Sequence, residues 1–174
     1  MKRAIALGTF DGVHIGHRAI INAAIDRAAK LDMEPMIYTF TAHPMALFGK
    51  QPPLLMTQSE RMAALGGMGC ALSADEFSAE YAATEPEQFI KMLIERFNMG
   101  CAVAGFNYTF GRRGEGSVEL IKKLGEKYGF AVEIVPPVMY KGEAVSSTRI
   151  RACLEAGRVK DAGEMLGAPY SITG

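Results

Sequence analysis

Gly8-Thr9-Phe10-Asp11-Gly12-Val13-His14-Ile15-Gly16-His17 follows the apolar run Ala4-Ile5-Ala6-Leu7 and precedes a strongly helical segment. The stretch reads as a strand, a tight glycine-containing turn and a helix N-terminus. A helix N-terminus offers amide groups without intrahelical partners and a partial positive charge, which together favour a phosphate. Gly12 and Gly16 let backbone approach a ligand closely. His14 and His17, three residues apart, add donors that follow charge as it develops. A lone histidine beside a turn is ordinarily a surface or capping residue. Two of them in this glycine-rich frame suit chemistry at a phosphorus atom.

Outward from this turn, apolar runs alternate with helical patterns. Strands are expected over Arg3 to Leu7, Pro35 to Phe40, Cys70 to Ser73, Cys101 to Ala104 and Phe130 to Val135. Helices are expected over His17 to Leu31, Ser59 to about Gly67, a segment ending at Phe97, and Ser117 to Tyr128. Thr84-Glu85-Pro86-Glu87 reads as a capping box opening the third of these. Two short C-terminal helices are expected near Ile150 to Leu154 and Val159 to Leu166, the second closed by Gly167. The alternation implies an α/β, doubly wound, Rossmann-like five-stranded parallel sheet covered on both faces, forming a single domain over residues 1–174. Ligands in such sheets bind at the C-terminal ends of strands, near the topological switch point. The turn after the first strand is such a place.

The chain has 174 residues, enough for one domain with a sizeable core, and no formal net charge. It therefore carries no global basic field of the kind that coats nucleic acid, and a phosphate ligand must be held locally. Cys70, Cys101 and Cys153 are widely spaced, which fits neither a disulfide framework nor a zinc site. No apolar stretch approaches the ~20 residues needed to span a bilayer, and no signal peptide is expected. The default compartment is a reducing cytoplasm.

Three further segments carry chemistry. Val145-Ser146-Ser147-Thr148-Arg149-Ile150-Arg151 places three hydroxyl residues at a helix start, followed by two guanidinium groups suited to phosphate oxygens. Residues 104–116, running from Ala104 through Gly105-Phe106-Asn107-Tyr108-Thr109-Phe110-Gly111 to Arg112-Arg113-Gly114-Glu115-Gly116, mix aromatics, glycines and a basic pair after the fourth strand. Thr39-Phe40-Thr41-Ala42-His43-Pro44, with the later Pro52-Pro53-Leu54-Leu55, could line a slot for a flat ring.

The opening stretch resembles the H-x-G-H motif of the nucleotidyltransferase superfamily. With Asp11-Gly12-Val13 before the first histidine, it is similar to the FAD synthetase module of bacterial bifunctional riboflavin kinase/FMN adenylyltransferases. The Ser-Ser-Thr-Arg-Ile-Arg run resembles the family's S-S-T-x-I-R motif. Residues 105–111 resemble its flavin and nucleotide loop, and residues 39–44 its T-F-x-P-H-P segment, with Ala42 in place of the usual proline. Thr57 and Arg61 fit its L-x-T-x-x-x-R-like segment. The polar stretch from Ser73 to Glu76 has no counterpart in the expected pattern.

The resemblance implies a nucleotidyltransferase fold and an FMN adenylyltransferase: FMN attacks the α-phosphorus of ATP in line, giving FAD and pyrophosphate. It implies catalytic roles for His14, His17 and Arg149. Gly8, Phe10, Asp11, Gly16, Ser147, Thr148 and Arg151 would bind ATP. His43, Pro44, Leu55, Asn107, Tyr108 and Phe110 would bind the flavin. Mg²⁺ is expected on the ATP phosphates rather than in a protein cage. No riboflavin kinase domain is expected in the 174 residues. No nucleic-acid or membrane partner is expected, and the oligomeric state is open. Alternatives are a transferase of the same fold acting on another phosphorylated acceptor, and a catalytically silent flavin or nucleotide binder. An aminoacyl-tRNA synthetase is poorly supported, because no Lys-Met-Ser-Lys-Ser-like motif is present.

Overall fold

The computed structural model describes residues 1–171. The last three residues of the expected 1–174 domain lie outside the described part. Five strands pair in parallel: β1 (Arg3–Leu7), β2 (Glu34–Phe40), β3 (Ala71–Asp75), β4 (Met99–Gly105) and β5 (Ala131–Val135). Their order is β3-β2-β1-β4-β5, so the chain winds one way from β1 and then the other from β4. The switch point is the crevice between the C-terminal ends of β1 and β4.

Strand alternation sorts the core. Ala4 and Ala6 of β1 face one side with Ile37, Cys101 and Val103, against Ile21, Ala24 and Ala28 of α1 (Ile15–Leu31) and Leu65 of α2 (Gln58–Gly66). Small residues on both β1 and α1 let this helix lie close to the sheet. Ile5 and Leu7 face the other side, against Phe89, Ile90 and Leu93 of α4 (Pro86–Phe97) and Ile121 and Leu124 of α5 (Val118–Tyr128). A third cluster joins Leu55 and Val145 to α6 (Ser147–Glu155) and α7 (Val159–Leu166), which sit beside the opening turn. Among the described residues, no helix is long and apolar enough to cross a membrane.

The structure corrects several local expectations. α1 begins at Ile15, two residues earlier than expected, because the His14 imidazole caps it. Leu31, expected on its apolar face, is exposed. Thr84 does not open α4: Glu85 is the N-cap, without a side-chain bond, and Pro86 takes the first helical position, where its missing N–H costs nothing. Thr84 instead follows a short helix, α3 (Ala79–Ala82), and its hydroxyl donates to Glu80 O at 3.4 Å. The capping box forms at α2, where Thr57 and Glu60 satisfy each other's backbone amides. The polar stretch from Ser73 to Glu76 is the end of β3, at Asp75, and the residue after it; among the described residues β3 pairs only with β2 and is an edge strand, where polar residues are tolerated. A small hairpin, β6 (Met139–Tyr140) and β7 (Glu143–Ala144), precedes α6.

Candidate active site

The turn after β1 is built from strained backbone. Val13 N–H donates to Phe10 O at 3.1 Å, closing a four-residue turn. Phe10, Gly12 and Val13 all have positive φ, at 53°, 81° and 41°. Only glycine adopts this freely, so Phe10 and Val13 each store about 1–3 kcal/mol that their complete burial offsets. A side chain on Gly12 would meet Leu55 Cδ1 at 2.7 Å, and one on Gly8 would meet the Phe10 ring at 2.9 Å. Phe10 thus folds back over Gly8 and presents its edge to His17, ring centroids 5.4 Å apart.

The two histidines stack, with centroids 3.5 Å apart and planes 17° from parallel. His14 Nδ1 accepts the backbone N–H of His17 at 3.2 Å. An accepting Nδ1 places the proton of neutral imidazole on Nε2. Burial lowers the His14 pKa to about 4. Burial first, then the charges of His14 and Arg61, hold His17 well below the usual histidine range. Both rings are therefore neutral donors at pH 7, which lets them stack without repulsion. His17 Nδ1 is buried and has no hydrogen-bond partner. Gly16 is what admits this arrangement: a Cβ there would press on the His14 ring at 3.1 Å. The first-turn amides of Ile15 and Gly16 have no intrahelical acceptor.

A second helix N-terminus stands alongside. Ser146 caps α6, its hydroxyl accepting Arg149 N–H at 3.2 Å. Ser147 Oγ donates to Asp11 O at 2.9 Å, tying the start of α6 to the turn. Thr148 is exposed at the helix start. The two arginines diverge. Arg151 turns inward and pairs with the Asp11 carboxylate, and its Nε donates to Pro53 O at 2.6 Å. The other Asp11 oxygen accepts Leu55 N–H at 3.3 Å. Arg149 turns to the hairpin: Nη1 donates to Glu143 O at 2.9 Å, Nε lies 3.2 Å from the Glu143 carboxylate, and the guanidinium sits over the Tyr140 ring.

The residues expected around the flavin fall into two groups. His43 caps the 3₁₀ turn Pro44–Phe48, its Nδ1 accepting Met45 N–H at 3.2 Å, and burial lowers its pKa. Leu55 is buried beneath Gly12. In the loop after β4, Asn107 is exposed, Tyr108 stacks on Phe110 at 5.7 Å, and Phe110 is buried against Phe89. Asp11, Gly16, His14, His17, Ser147, Arg151 and Leu55 are brought together. Asn107, Tyr108 and Phe110 lie on the neighbouring loop across the switch point.

Arg61, outside the expected ligand set, is a buried staple. Nη1 donates to Thr9 O at 2.8 Å and Thr39 Oγ1 at 3.1 Å; Nη2 donates to Phe40 O at 2.6 Å and Thr41 O at 3.1 Å. It binds the C-terminal ends of β1 and β2 to each other. A cavity of about 230 Å³ lies against it, lined by Asp11, Thr41, His43, Gln51 and Leu54 among others. A broader depression along α4, between Gln88 and Arg96, is open and carries none of the motif residues. Beside the site, Phe40, Phe77 and Tyr81 form a half-buried aromatic group, with the Tyr81 and Tyr38 hydroxyls (Oη to Oη) 2.5 Å apart and Tyr38 O–H donating to the Asp75 carboxylate at 2.8 Å. Met45, Leu47, Phe48 and Leu54 stand exposed nearby in sequence to His43. No periodic pattern marks any of these; they become visible only when the loops are placed.

The profile of the FAD synthetase family matches residues 1–149. The chain is 33% identical over 176 residues to an FAD synthetase of Listeria monocytogenes, covering 98% of this chain and 70% of that one. It is 34% identical over 178 residues to a bifunctional riboflavin kinase/FMN adenylyltransferase of Bacillus subtilis, covering 99% of this chain and 56% of that one. It spans little more than half the length of such bifunctional relatives. A solved structure described as a macrolide-efflux protein from Streptococcus pneumoniae superposes with a TM-score of 0.85 and 33% identity, over 97% of this chain and 56% of that one. The sheet order, the stacked histidines after β1 and these matches converge: the chain belongs to the FAD synthetase family.

Proposed function

We propose that the protein transfers AMP from ATP to FMN, giving FAD and pyrophosphate. The observation that carries this reading is the meeting of two helix N-termini, α1 and α6, at the switch point, with two neutral imidazoles on the first of them. Unpartnered first-turn amides and imidazole donors of this kind favour a polyphosphate. An oxygen of the FMN phosphate attacks the α-phosphorus in line; the new P–O bond forms as the bond to the bridging oxygen breaks, and pyrophosphate leaves with that electron pair. The attacking phosphate is already an anion, so no strong base is needed. His14 Nε2–H and the His17 ring donate to charge growing on the α- and β-phosphate oxygens. Thr148 and the first amides of α6 hold the outer phosphates, with Arg149 offering the guanidinium edge that the hairpin leaves uncommitted. Gly8 and Phe10 shape the turn beneath the nucleotide, and Gly16 keeps it open.

The flavin ring is expected between the His43–Phe48 segment, with Pro44 and its exposed apolar neighbours, and the loop bearing Asn107 and Tyr108. Leu55 and Phe110 back these two walls from the core. Among the described residues no group of three or more His, Cys, Asp or Glu side chains is placed to hold a metal, and the central carboxylate, Asp11, is committed to Arg151 and Leu55. Mg²⁺, expected on the ATP phosphates, would neutralise part of their charge there.

The test uses ATP labelled at the α-phosphate. Label must enter FAD and none may enter pyrophosphate, and a chiral α-phosphorothioate must react with inversion. Riboflavin, which lacks the attacking phosphate, must give no dinucleotide. Product from other phosphorylated acceptors but not from FMN contradicts the reading, as does retention at phosphorus.

A further inference from the structure

Asp11 and Arg151 were both expected on the nucleotide, yet each spends its charge on the other. The pair is buried, with 5% and 13% of the two side chains exposed. Their remaining bonds reach a third segment: Asp11 accepts Leu55 N–H, and Arg151 donates to Pro53 O. Ser147 Oγ on Asp11 O adds a fourth tie between the same elements. Four hydrogen bonds thus knot together the turn that carries His14, the strap at residues 53–55 and the first turn of α6. Leu55 fills the space under Gly12, so the strap also supports the turn from below. The strap leads directly from the His43–Phe48 segment, so one knot holds parts from both sides of the proposed site. Arg151 spends its Nε and Nη2 on Pro53 O and the Asp11 carboxylate, and with most of its side chain buried it is held in the knot rather than turned out to a ligand.

We propose that Asp11 and Arg151 form a positioning pair: they fix the His14 turn against the N-terminus of α6 and leave binding of the nucleotide to other groups. The inference rests on the adenylyl-transfer reading for its kinetic test. Near-attack alignment is sensitive to small displacements, and a misplacement of about 1 Å can cost on the order of 10²-fold in rate. Loosening the knot should therefore lower kcat while leaving the affinity for ATP nearly intact.

The experiment measures kcat and KM for ATP in Asp11→Asn, Arg151→Met, Arg151→Lys and the double variant Asp11→Asn/Arg151→Met, well below each melting temperature. Either single change to a neutral residue leaves one buried charge unpaired and can unfold the chain; the double variant removes both charges and should fold. In every folded variant lacking the pair, kcat should fall by about tenfold to a hundredfold with KM for ATP within about threefold. The double variant should be no slower than the slower single, because both remove the same link. Arg151→Lys keeps the charge but cannot also reach Pro53 O, so its kcat should lie between. Independently of activity, ¹⁵N spectra should show His14 held as the Nε2–H tautomer in the native protein and as a mixture in the double variant. A wild-type protein that makes no FAD refutes the adenylyl-transfer reading, and the tautomer measurement still decides the positioning role. A large rise in KM for ATP in Arg151→Met with unchanged kcat overturns the proposal and makes Arg151 a phosphate ligand. So does native kcat together with an unchanged His14 tautomer in the folded double variant.

Discussion

Acidification should destabilise this protein through His14. Its imidazole is held neutral by burial, with a pKa of about 4 against the ordinary 6.5. Below pH 6.5 the unfolded chain takes up a proton that the folded chain refuses until about pH 4. The unfolded state then binds more protons, so stability rises with pH across that window. The contribution is complete above pH 6.5, is lost steadily as pH falls towards 4, and is constant below that. At about 1.4 kcal/mol per pH unit, the whole interval is worth roughly 3 kcal/mol, of which about 2 kcal/mol is lost by pH 5. His17, also held neutral, adds to the loss in the same direction. The comparison is His14→Asn, whose side-chain oxygen can still cap α1 but cannot titrate. Urea unfolding at pH 7 and pH 5 should show the native protein losing about 2 kcal/mol more than the variant between the two conditions. Equal losses, or a His14 pKa near 6.5 by NMR, would refute the burial argument.

Three further outcomes follow from the same geometry. Arg61→Ala strands four acceptors at the ends of β1 and β2, and should cost roughly 3 kcal/mol in chemical denaturation; a variant of native stability would show that water replaces the staple. Gly111 has φ 72° and ψ −173°, and a Cβ there would lie 2.6 Å from Pro86 Cα. Gly111→Ala should lower the melting temperature by several degrees and raise KM for FMN more than KM for ATP; an unperturbed loop would disprove the clash. Arg149→Ala should raise KM for ATP by about tenfold or more, with Arg149→Lys recovering part of it; unchanged kinetics in both would leave Arg149 only as a brace on the hairpin.

The five strands and the long helices were legible because their patterns are local: a short apolar run for β1, and a period of 3.6 for α4 and α5. The turn after β1 was legible for the same reason, being ten contiguous residues. Other features depend on partners far along the chain. Arg151 meets Asp11 across 140 residues, and Arg61 meets Thr9 across 52, so no window of sequence contains either bond. Arg151 was expected on the nucleotide and Arg61 had only a motif position until the fold supplied their acceptors. The β6–β7 hairpin escaped notice because its turn is Lys141-Gly142, with φ of 50° and 83°, where Asn-Gly is the usual signal. The start of α1 was read two residues late because histidine is an uncommon cap. Thr84-Glu85-Pro86-Glu87 carries the letters of a capping box, but Pro86 determines where α4 begins.

The most direct measurement is single-turnover FAD formation from ATP and FMN by the native protein and by His14→Ala and His17→Ala, each first shown to be folded. The native protein should convert FMN to FAD with one pyrophosphate released per FAD. Each alanine variant should bind ATP with little change and react on the order of 10²- to 10³-fold more slowly, the loss of one preorganised donor to the transition state. No FAD from the native protein, or native rates from both folded variants, would contradict adenylyl transfer at the stacked histidines.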